Sequence, residues 1–323
     1  MMVPVLAIDA LQVHFAARQR WFGPRLPPVR AVDGVSLTVA RGETLGLVGE
    51  SGCGKSTLAN AALGLVRATA GSVRIDGQEV VGADREMLRA IRARAQMVFQ
   101  DPALSLNPRL SVGAAIGEPL LVRGLAKGEE LARRIADLLR AVGLNPEHAA
   151  RFPHQFSGGQ RQRIGIARAL ALSPDLLICD EAVSALDVSV RAQVLNLLAR
   201  LQRERGLSYL FVSHDLAVVH HVCDRVAVMY LGRIVEEAPR DALFTNPRHP
   251  YTRALMQAVP EPDPVVQRAR ARLPLAGEPP SPSNVPSGCA FHSRCPLATG
   301  ICRAERPDLS PRGGPGRVAC HHA

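Results

Sequence analysis

The 323-residue chain predicts an α/β fold: a core sheet of alternating strands and helices, an antiparallel β subdomain, an inserted helical subdomain, and a small, irregular, cysteine-rich C-terminal extension. Three observations lead there. The apolar run Thr44-Leu45-Gly46-Leu47-Val48 empties into the glycine-rich GESGCGKST of residues 49–57 and then into a helical pattern. Three more short apolar runs, Leu176–Asp180, Tyr209–Ser213 and Arg225–Tyr230, are separated by helix-length segments. From about residue 103 to 172 the apolar spacing becomes helical (Leu131, Ile135, Leu138, Leu139, Val142), with breaks at Gly143, Pro146 and Pro153.

Taken in order, residues 5–15 alternate loosely through Val5, Ala7, Leu11, Val13 and Phe15 and read as a first strand. Arg18–Pro28 carries Trp21, Gly23 and three prolines, so it reads as a loop. A second strand, Ala31–Val39, turns at Arg41-Gly42 into the strand before the glycine-rich segment. A helix at 58–65, a strand from Gly71 to a turn at Gly77, a helix at about 84–93 and the strand Ala95–Phe99 follow. Past the helical insertion and its three strands, Leu231-Gly232-Arg233 turns the chain into a strand at Ile234–Glu236. Residues 1–240 thus form the main domain, with the helical subdomain at about 103–172. Residues 241–288 read as a linker with a short helix and a proline-rich segment, and 289–323 as a cysteine-rich extension.

Composition narrows the class. Hydrophobic content of 47% with 21% charged residues suits a folded protein. No eighteen-residue uncharged apolar run exists, and the opening MMVPVLAIDAL lacks a basic segment and is interrupted by Asp9, so neither a membrane span nor a secretory signal is expected. Seven cysteines, an odd number, argue against a disulfide framework and for a reducing compartment. A net charge of +10 admits nucleic acid or an anionic membrane surface as partners, but the arginines are scattered and aromatics are only 4%.

Residues 49–57 fit G-x-x-x-x-G-K-[ST], the phosphate loop of a P-loop NTPase core. Gly49, Gly52 and Gly54 permit turns that aim successive N–H groups of Glu50, Ser51, Cys53 and their neighbours into one concavity, next to a helix N-terminus that begins near Lys55. Lys55 is placed to reach the β- and γ-phosphates of a nucleoside triphosphate, with Ser56 as a Mg²⁺ ligand and Thr57 closing the motif. Of 39 basic residues only two are lysines, and one is Lys55; a compact ammonium fits a cradle that a planar guanidinium overfills. An early aromatic is expected to stack on adenine: Phe15 first, Trp21 or Phe22 second.

The strand Leu176–Asp180 ends in two acids about 125 residues after the loop. At the carboxyl edge of an open α/β sheet, Asp180 is placed to hold Mg²⁺ through its water shell and Glu181 to orient and polarise the attacking water. At the other end, Cys289, Cys295, Cys302 and Cys320 are spaced C-x5-C-x6-C-x17-C in a stretch too short and proline-rich for a core of its own. Four thiolates suit a [4Fe–4S] cluster or structural zinc, and spacings wider than the usual zinc pairs favour iron–sulfur. His292, His321 and His322 are neighbouring alternative ligands. Chain position puts this centre far from Lys55 and Glu181.

The order GESGCGKST, VFQDP, FSGGQRQR, LLICDE, SALD and SHD resembles the ATP-binding subunit of ABC transporters over residues 5–240. The resemblance implies further roles. Gln100 becomes the loop glutamine that touches Mg²⁺ or water and couples to membrane subunits. Ser157, Gly158 and Gly159, with Gln160, become the signature that caps ATP bound to another subunit. Asp187 becomes the aspartate at the subunit contact, and His214 the switch histidine on the γ-phosphate. Two such subunits then sandwich two nucleotides head to tail, closing on ATP and opening after hydrolysis. His249-Pro250-Tyr251-Thr252, the phrase LAGEPPSP and the cysteine pattern resemble the C-terminal region of oligopeptide and dipeptide importers, some of which carry an iron–sulfur cluster there. That implies a homologous second ATPase, two transmembrane permeases and an extracytoplasmic binding protein as partners, no nucleic acid, and a peripheral place on the cytoplasmic face of the cell membrane. A soluble ABC-type ATPase acting on nucleic acid or ribosomes is the alternative; a zinc-ribbon interaction module is a third reading.

Overall fold

The computed structural model describes residues 3–16, 27–100, 105–257 and 277–323. The chain divides into two compact units, each an α/β assembly.

One unit is built mainly from Ile75–Phe211. Its strands β6 (Ala95–Val98) and β7 (Leu176–Asp180) pair in parallel, Ala95 opposite Leu176 and Val98 opposite Cys179. Every residue of β7 is buried, as an unbroken apolar run must be when both faces of a parallel strand are covered. The helical insertion forms as expected, with helices Val112–Val122, Gly128–Ala141 and Gly158–Leu170. In the second of these, Glu129 and Glu130 sit in the first turn, where the helix dipole favours acids. Its Ile135, Leu138 and Leu139 are buried, each side chain contributing about 1.5–3 kcal/mol if wholly removed from water. The helix Val188–Arg205 follows β7 and stops at Gly206, which takes the left-handed conformation.

The other unit holds Ala7–Thr38, Thr44–Arg74 and Val212–Ala323. Here β3 (Thr44–Val48) lies parallel to β9 (Arg225–Tyr230), with Leu45 opposite Arg225 and Val48 opposite Val228. Strand β10 (Arg233–Pro239) returns antiparallel to β9. The strand order continues through β12 (Arg317–Val318) to β11 (Ser310–Pro311), so the C-terminal extension adds two short strands to this sheet. A second set, β1 (Leu6–Phe15), β2 (Val29–Val39) and β4 (Ala70–Ile75), has the order β2-β1-β4.

Three boundaries differ from expectation for physical reasons. The helix after the glycine-rich segment begins at Lys55, as the motif implies, but stops at Ala62 rather than 65, because Gly64 at φ 63 ends it in a left-handed turn. Strand β10 outruns the expected Ile234–Glu236 because β9 pairs with it out to Pro239, opposite Arg225, and β12 adds a second partner at Glu236 and Glu237. Beyond residue 240 two short helices form, Arg240–Thr245 and Pro250–Gln257, where one was expected. The loop expected at Arg18–Pro28 and the proline-rich linker fall largely outside the described residues.

Candidate functional site

In the second unit β3 delivers the chain into a tight loop. Gly49 has φ 156, and a Cβ there would stand 2.2 Å from the Met229 carbonyl oxygen. Gly54 has φ 110, and a Cβ there would stand 2.0 Å from the Ala31 carbonyl oxygen. Only glycine fits either position, so the cradle is set by backbone packed against β9 and β2. Lys55, the first residue of its helix, is 5% exposed. Its Nζ donates to the carbonyls of Gly49 at 2.8 Å and Glu50 at 3.0 Å, with Cys53 Sγ at 3.8 Å. Burial pushes the Cys53 thiol pKa up. Ser51, Gly52 and Ser56 are exposed and Thr57 is half-buried.

Glu50 has partners that the motif does not announce. Its backbone N–H donates to Tyr251 Oη at 2.8 Å rather than remaining free for phosphate. Its two carboxylate oxygens each accept from a terminal nitrogen of Arg294 at 3.0 Å. The expectation that the cysteine-rich extension lies far from Lys55 is therefore corrected. The extension pairs with β10 and reaches the residue that follows Gly49.

Phe15, at the end of β1, is 44% exposed and available for stacking; Trp21 and Phe22 lie outside the described residues. Beside it, His14 Nε2 is 3.2 Å from Asp33 Oδ1, and Asp33 accepts from Arg233 Nε at 3.1 Å and a terminal nitrogen at 2.7 Å. Burial raises the Asp33 pKa, but the Arg233 hydrogen bond and charge outweigh it and leave the carboxyl below its ordinary value. His214, also in this unit, is exposed at the start of the turn after β8 (Ser208–Ser213). The adjacent Asp215 caps the helix Leu216–Val222 by accepting from Ala217 N at 3.0 Å and Val218 N at 3.2 Å.

The first unit holds Gln100, Ser157, Gly158, Gly159, Gln160, Asp180, Glu181 and Asp187. Asp180 is buried at the end of β7. Glu181 has φ 49, a left-handed backbone rare outside glycine. Its carbonyl accepts from Ser184 N at 3.0 Å and Ser184 Oγ at 2.9 Å, which fixes the turn. Gln100 Nε2 donates to Glu181 Oε2 at 3.0 Å, joining two residues picked from motifs 81 positions apart.

Ser157 and Gln160 cap one another. Ser157 Oγ accepts from Gln160 N at 3.4 Å, and Gln160 Oε1 accepts from Ser157 N at 3.1 Å. Gly159 is buried where a Cβ would lie 2.1 Å from Val190 Cγ1, so this helix start packs directly on the helix that Asp187 opens. Ser157, Gly158, Asp187 and Val188 are all exposed, Val188 to 80%.

In the extension, Cys302 and Cys320 are buried, and Cys289 and Cys295 partly so. Among the described residues no three His, Cys, Asp or Glu side chains converge closely enough to hold one metal ion. Burial first, and the neighbouring Cys302, Cys320 and Cys295 thereafter, push the Cys289 thiol up to about 11. His322 Nε2 is 3.4 Å from Cys302 Sγ, whereas His292 and His321 are engaged with the carbonyls of Cys289 and Glu305.

A family model described as ABC transporter matches residues 32–184, and one described as Oligopeptide/dipeptide transporter, C-terminal region, matches residues 235–302. The probable peptide ABC transporter ATP-binding protein y4tS of Sinorhizobium fredii is 57% identical, over 98% of this chain and 89% of its own length. The oligopeptide transport ATP-binding protein OppF of Escherichia coli is 54% identical, over 94% of this chain and 92% of its own. Among solved structures, the dimeric post-hydrolysis state of the ATP-binding cassette MJ0796 bound to ADP and Pi superposes with a TM-score of 0.64 at 29% identity, covering 73% of this chain and 98% of that one.

Proposed function

The chain belongs to the ATP-binding subunits of oligopeptide/dipeptide ABC transporters, and from that premise we propose that it hydrolyses ATP to power the import of oligopeptides or dipeptides. The observation that carries the reading is the phosphate loop: a glycine turn that a Cβ at Gly49 or Gly54 would drive into the Met229 or Ala31 carbonyl behind it, with the buried Lys55 at the start of the following helix. ATP fits that cradle, its β- and γ-phosphates meeting Lys55 and the loop amides and its adenine stacking on Phe15. Ser56, Asp180 and Gln100 would hold Mg²⁺, which on binding offsets phosphate charge. Glu181 accepts the proton of the attacking water, and Gln100 orients its carboxylate. His214 contacts the γ-phosphate. Ser157, Gly158, Gly159 and Gln160 present a capped helix N-terminus to the ATP of a partner subunit, and Asp187 lies at that contact.

In this reading residues 1–240 are the ATP-binding cassette with its helical subdomain at about 103–172, 241–288 a linker and 289–323 the extension. The partners are a homologous ATPase, two permeases and an extracytoplasmic binding protein, with the chain peripheral on the cytoplasmic face of the membrane. No described helix is long and apolar enough to cross a bilayer. Action on nucleic acid or ribosomes is not favoured, since the relatives are transport proteins by name. Reconstitution with permeases, partner ATPase and binding protein tests the function: ATP-driven peptide uptake is expected, and uptake unaffected by omitting this chain overturns it.

For Cys289, Cys295, Cys302 and Cys320 the reading is a [4Fe–4S] cluster, with zinc second. The four-thiol spacing supports it, and among the described residues no three His, Cys, Asp or Glu side chains converge closely enough to hold one metal ion. Iron with labile sulfide in anaerobically purified protein, lost in Cys289→Ser, is the expected result; stoichiometric zinc in colourless protein overturns the cluster.

A further inference from the structure

Three other side chains hold Glu50. Tyr251 takes its N–H, Lys55 donates to its carbonyl, and Arg294 forks onto its carboxylate from 244 residues away. The guanidinium belongs to the extension, between Cys289 and Cys295, and its side chain is 5% exposed against 24% for Glu50. A bidentate pair so far out of water is stronger and more directional than a surface ion pair. Hydrogen bonding to Glu50 raises the Arg294 pKa, so the residue is a fixed cation.

The platform beneath it is aromatic. Phe291 packs edge-on to Tyr230 with centroids 5.3 Å apart, and Tyr251 stands 4.6 Å from Tyr230 and 5.5 Å from Phe291. The Arg294 guanidinium lies 6.0 Å from the Tyr230 ring centre, within cation–π range. Tyr230 ends β9, the strand paired with β3 that feeds the loop. One aromatic cluster thus contains Tyr251 and lies under Arg294, two of the three side chains that grip Glu50.

We propose that Arg294 is a positioning residue of the nucleotide site, neutralising and anchoring Glu50 so that the docked cysteine-rich extension sets the affinity of the phosphate loop for ATP. The inference rests on the nucleotide reading of that loop. The physical reason is charge. Glu50 adjoins a cradle built for a polyanion, and without Arg294 its carboxylate is an unpaired, half-desolvated negative charge facing triphosphate. Removing Glu50 instead takes away the carboxylate that offsets the Arg294 charge near the same phosphates.

The two substitutions therefore have opposite expected signs. Fluorescent ATP is titrated into the full-length chain, with thermal midpoints recorded in parallel. Arg294→Gln is expected to weaken binding about tenfold, as for one member of a buried charge pair left alone. Glu50→Gln is expected to tighten it about threefold, the effect of one unit charge several ångströms away at high dielectric. The double variant should return to within about threefold of wild type. Both single variants lose the same ion pair, so a purely structural role lowers both midpoints and moves both affinities the same way. Wild-type affinity in Arg294→Gln, a double variant no tighter than Arg294→Gln, or weaker binding in Glu50→Gln overturns the inference. If Arg294→Gln does not fold, the sign of the Glu50→Gln effect still decides it. A wild-type chain that binds no ATP overturns the loop reading itself, and the inference with it.

Discussion

Glu181 carries a feature that folding alone does not require. A non-glycine residue at φ 49 costs on the order of 1 kcal/mol, and it persists because Ser184 holds its carbonyl from two donors. The result is a carboxylate aimed from a fixed turn and met by Gln100. Glu181→Gln keeps shape and removes the proposed base, so ATP should still bind while turnover in the assembled complex falls by ~10²–10⁴. Lys55→Ala separates the two functions, since it should weaken binding itself. A Glu181→Gln complex that hydrolyses at the wild-type rate rules the carboxylate out as base. Gly54→Ala tests the cradle instead. A methyl placed 2.0 Å from the Ala31 oxygen at φ 110 forces the loop or β2 to shift. A loss of at least ~1 kcal/mol in denaturant titration, with much weaker ATP binding, is expected. Unchanged stability and affinity would mean that the loop is not tightly backed.

At the scale of elements, the docking of the extension has a pH signature. His249 is 1% exposed, its ring 5.7 Å from Phe291. Burial drives its pKa down from 6.5 to about 3, opposed by a hydrogen bond with the Ala319 backbone and aided by Arg253. Its Nδ1 accepts from Tyr251 N at 3.0 Å, which requires the neutral ring, and Glu236 holds the His249 N–H at 2.9 Å. A base whose pKa is lower folded than unfolded leaves the unfolded chain with the extra proton between those values. Stability is then complete above about pH 6.5 and falls toward pH 3, by up to ~1.4 kcal/mol per unit. Asp33 adds its own loss only lower, as pH falls below its unfolded value of 3.8. His249→Asn keeps an acceptor for the Tyr251 amide. It should melt lower at pH 8 yet lose less between pH 6.5 and 4.5, and parallel melting curves for the two proteins would defeat the assignment. None of this network was legible in the sequence. The strand into GESGCGKST, the buried β7 and the helical insertion were legible because each is encoded by a local pattern: an apolar run, a glycine spacing, a 3.6-residue period. Gly64 as a helix stop was available to the same reasoning and was missed. The Arg294–Glu50 pair, the Tyr251 contact and the β10–β12 ladder join residues 80 to 244 positions apart, and no spacing rule specifies such partners.

On the scale of the whole molecule, the exposed surface around Val188 calls for a partner. An apolar side chain that is 80% exposed sits beside Asp187, in the unit that also exposes Ser157 and Gly158 at the start of a capped helix. A helix N-terminus attracts anions, and an exposed valine gains by burial. Both needs are met if a second ATPase subunit brings ATP against this face. The isolated chain should then be a weak ATPase, stimulated by the partner ATPase and permeases. Val188→Glu should leave ATP binding by the single chain intact, because Val188 lies apart in sequence from every phosphate-loop residue. It should abolish the ATP-dependent association seen by sedimentation with the partner ATPase in a Glu181→Gln background, where hydrolysis does not dissolve the complex. The added carboxylate places a negative charge in a contact that closes around a triphosphate, so association should stay poor at low salt and recover partly as salt screens the repulsion. Normal ATP-dependent association of Val188→Glu, or full hydrolysis by a dilute, strictly monomeric preparation of the wild-type chain, would remove this face from the mechanism.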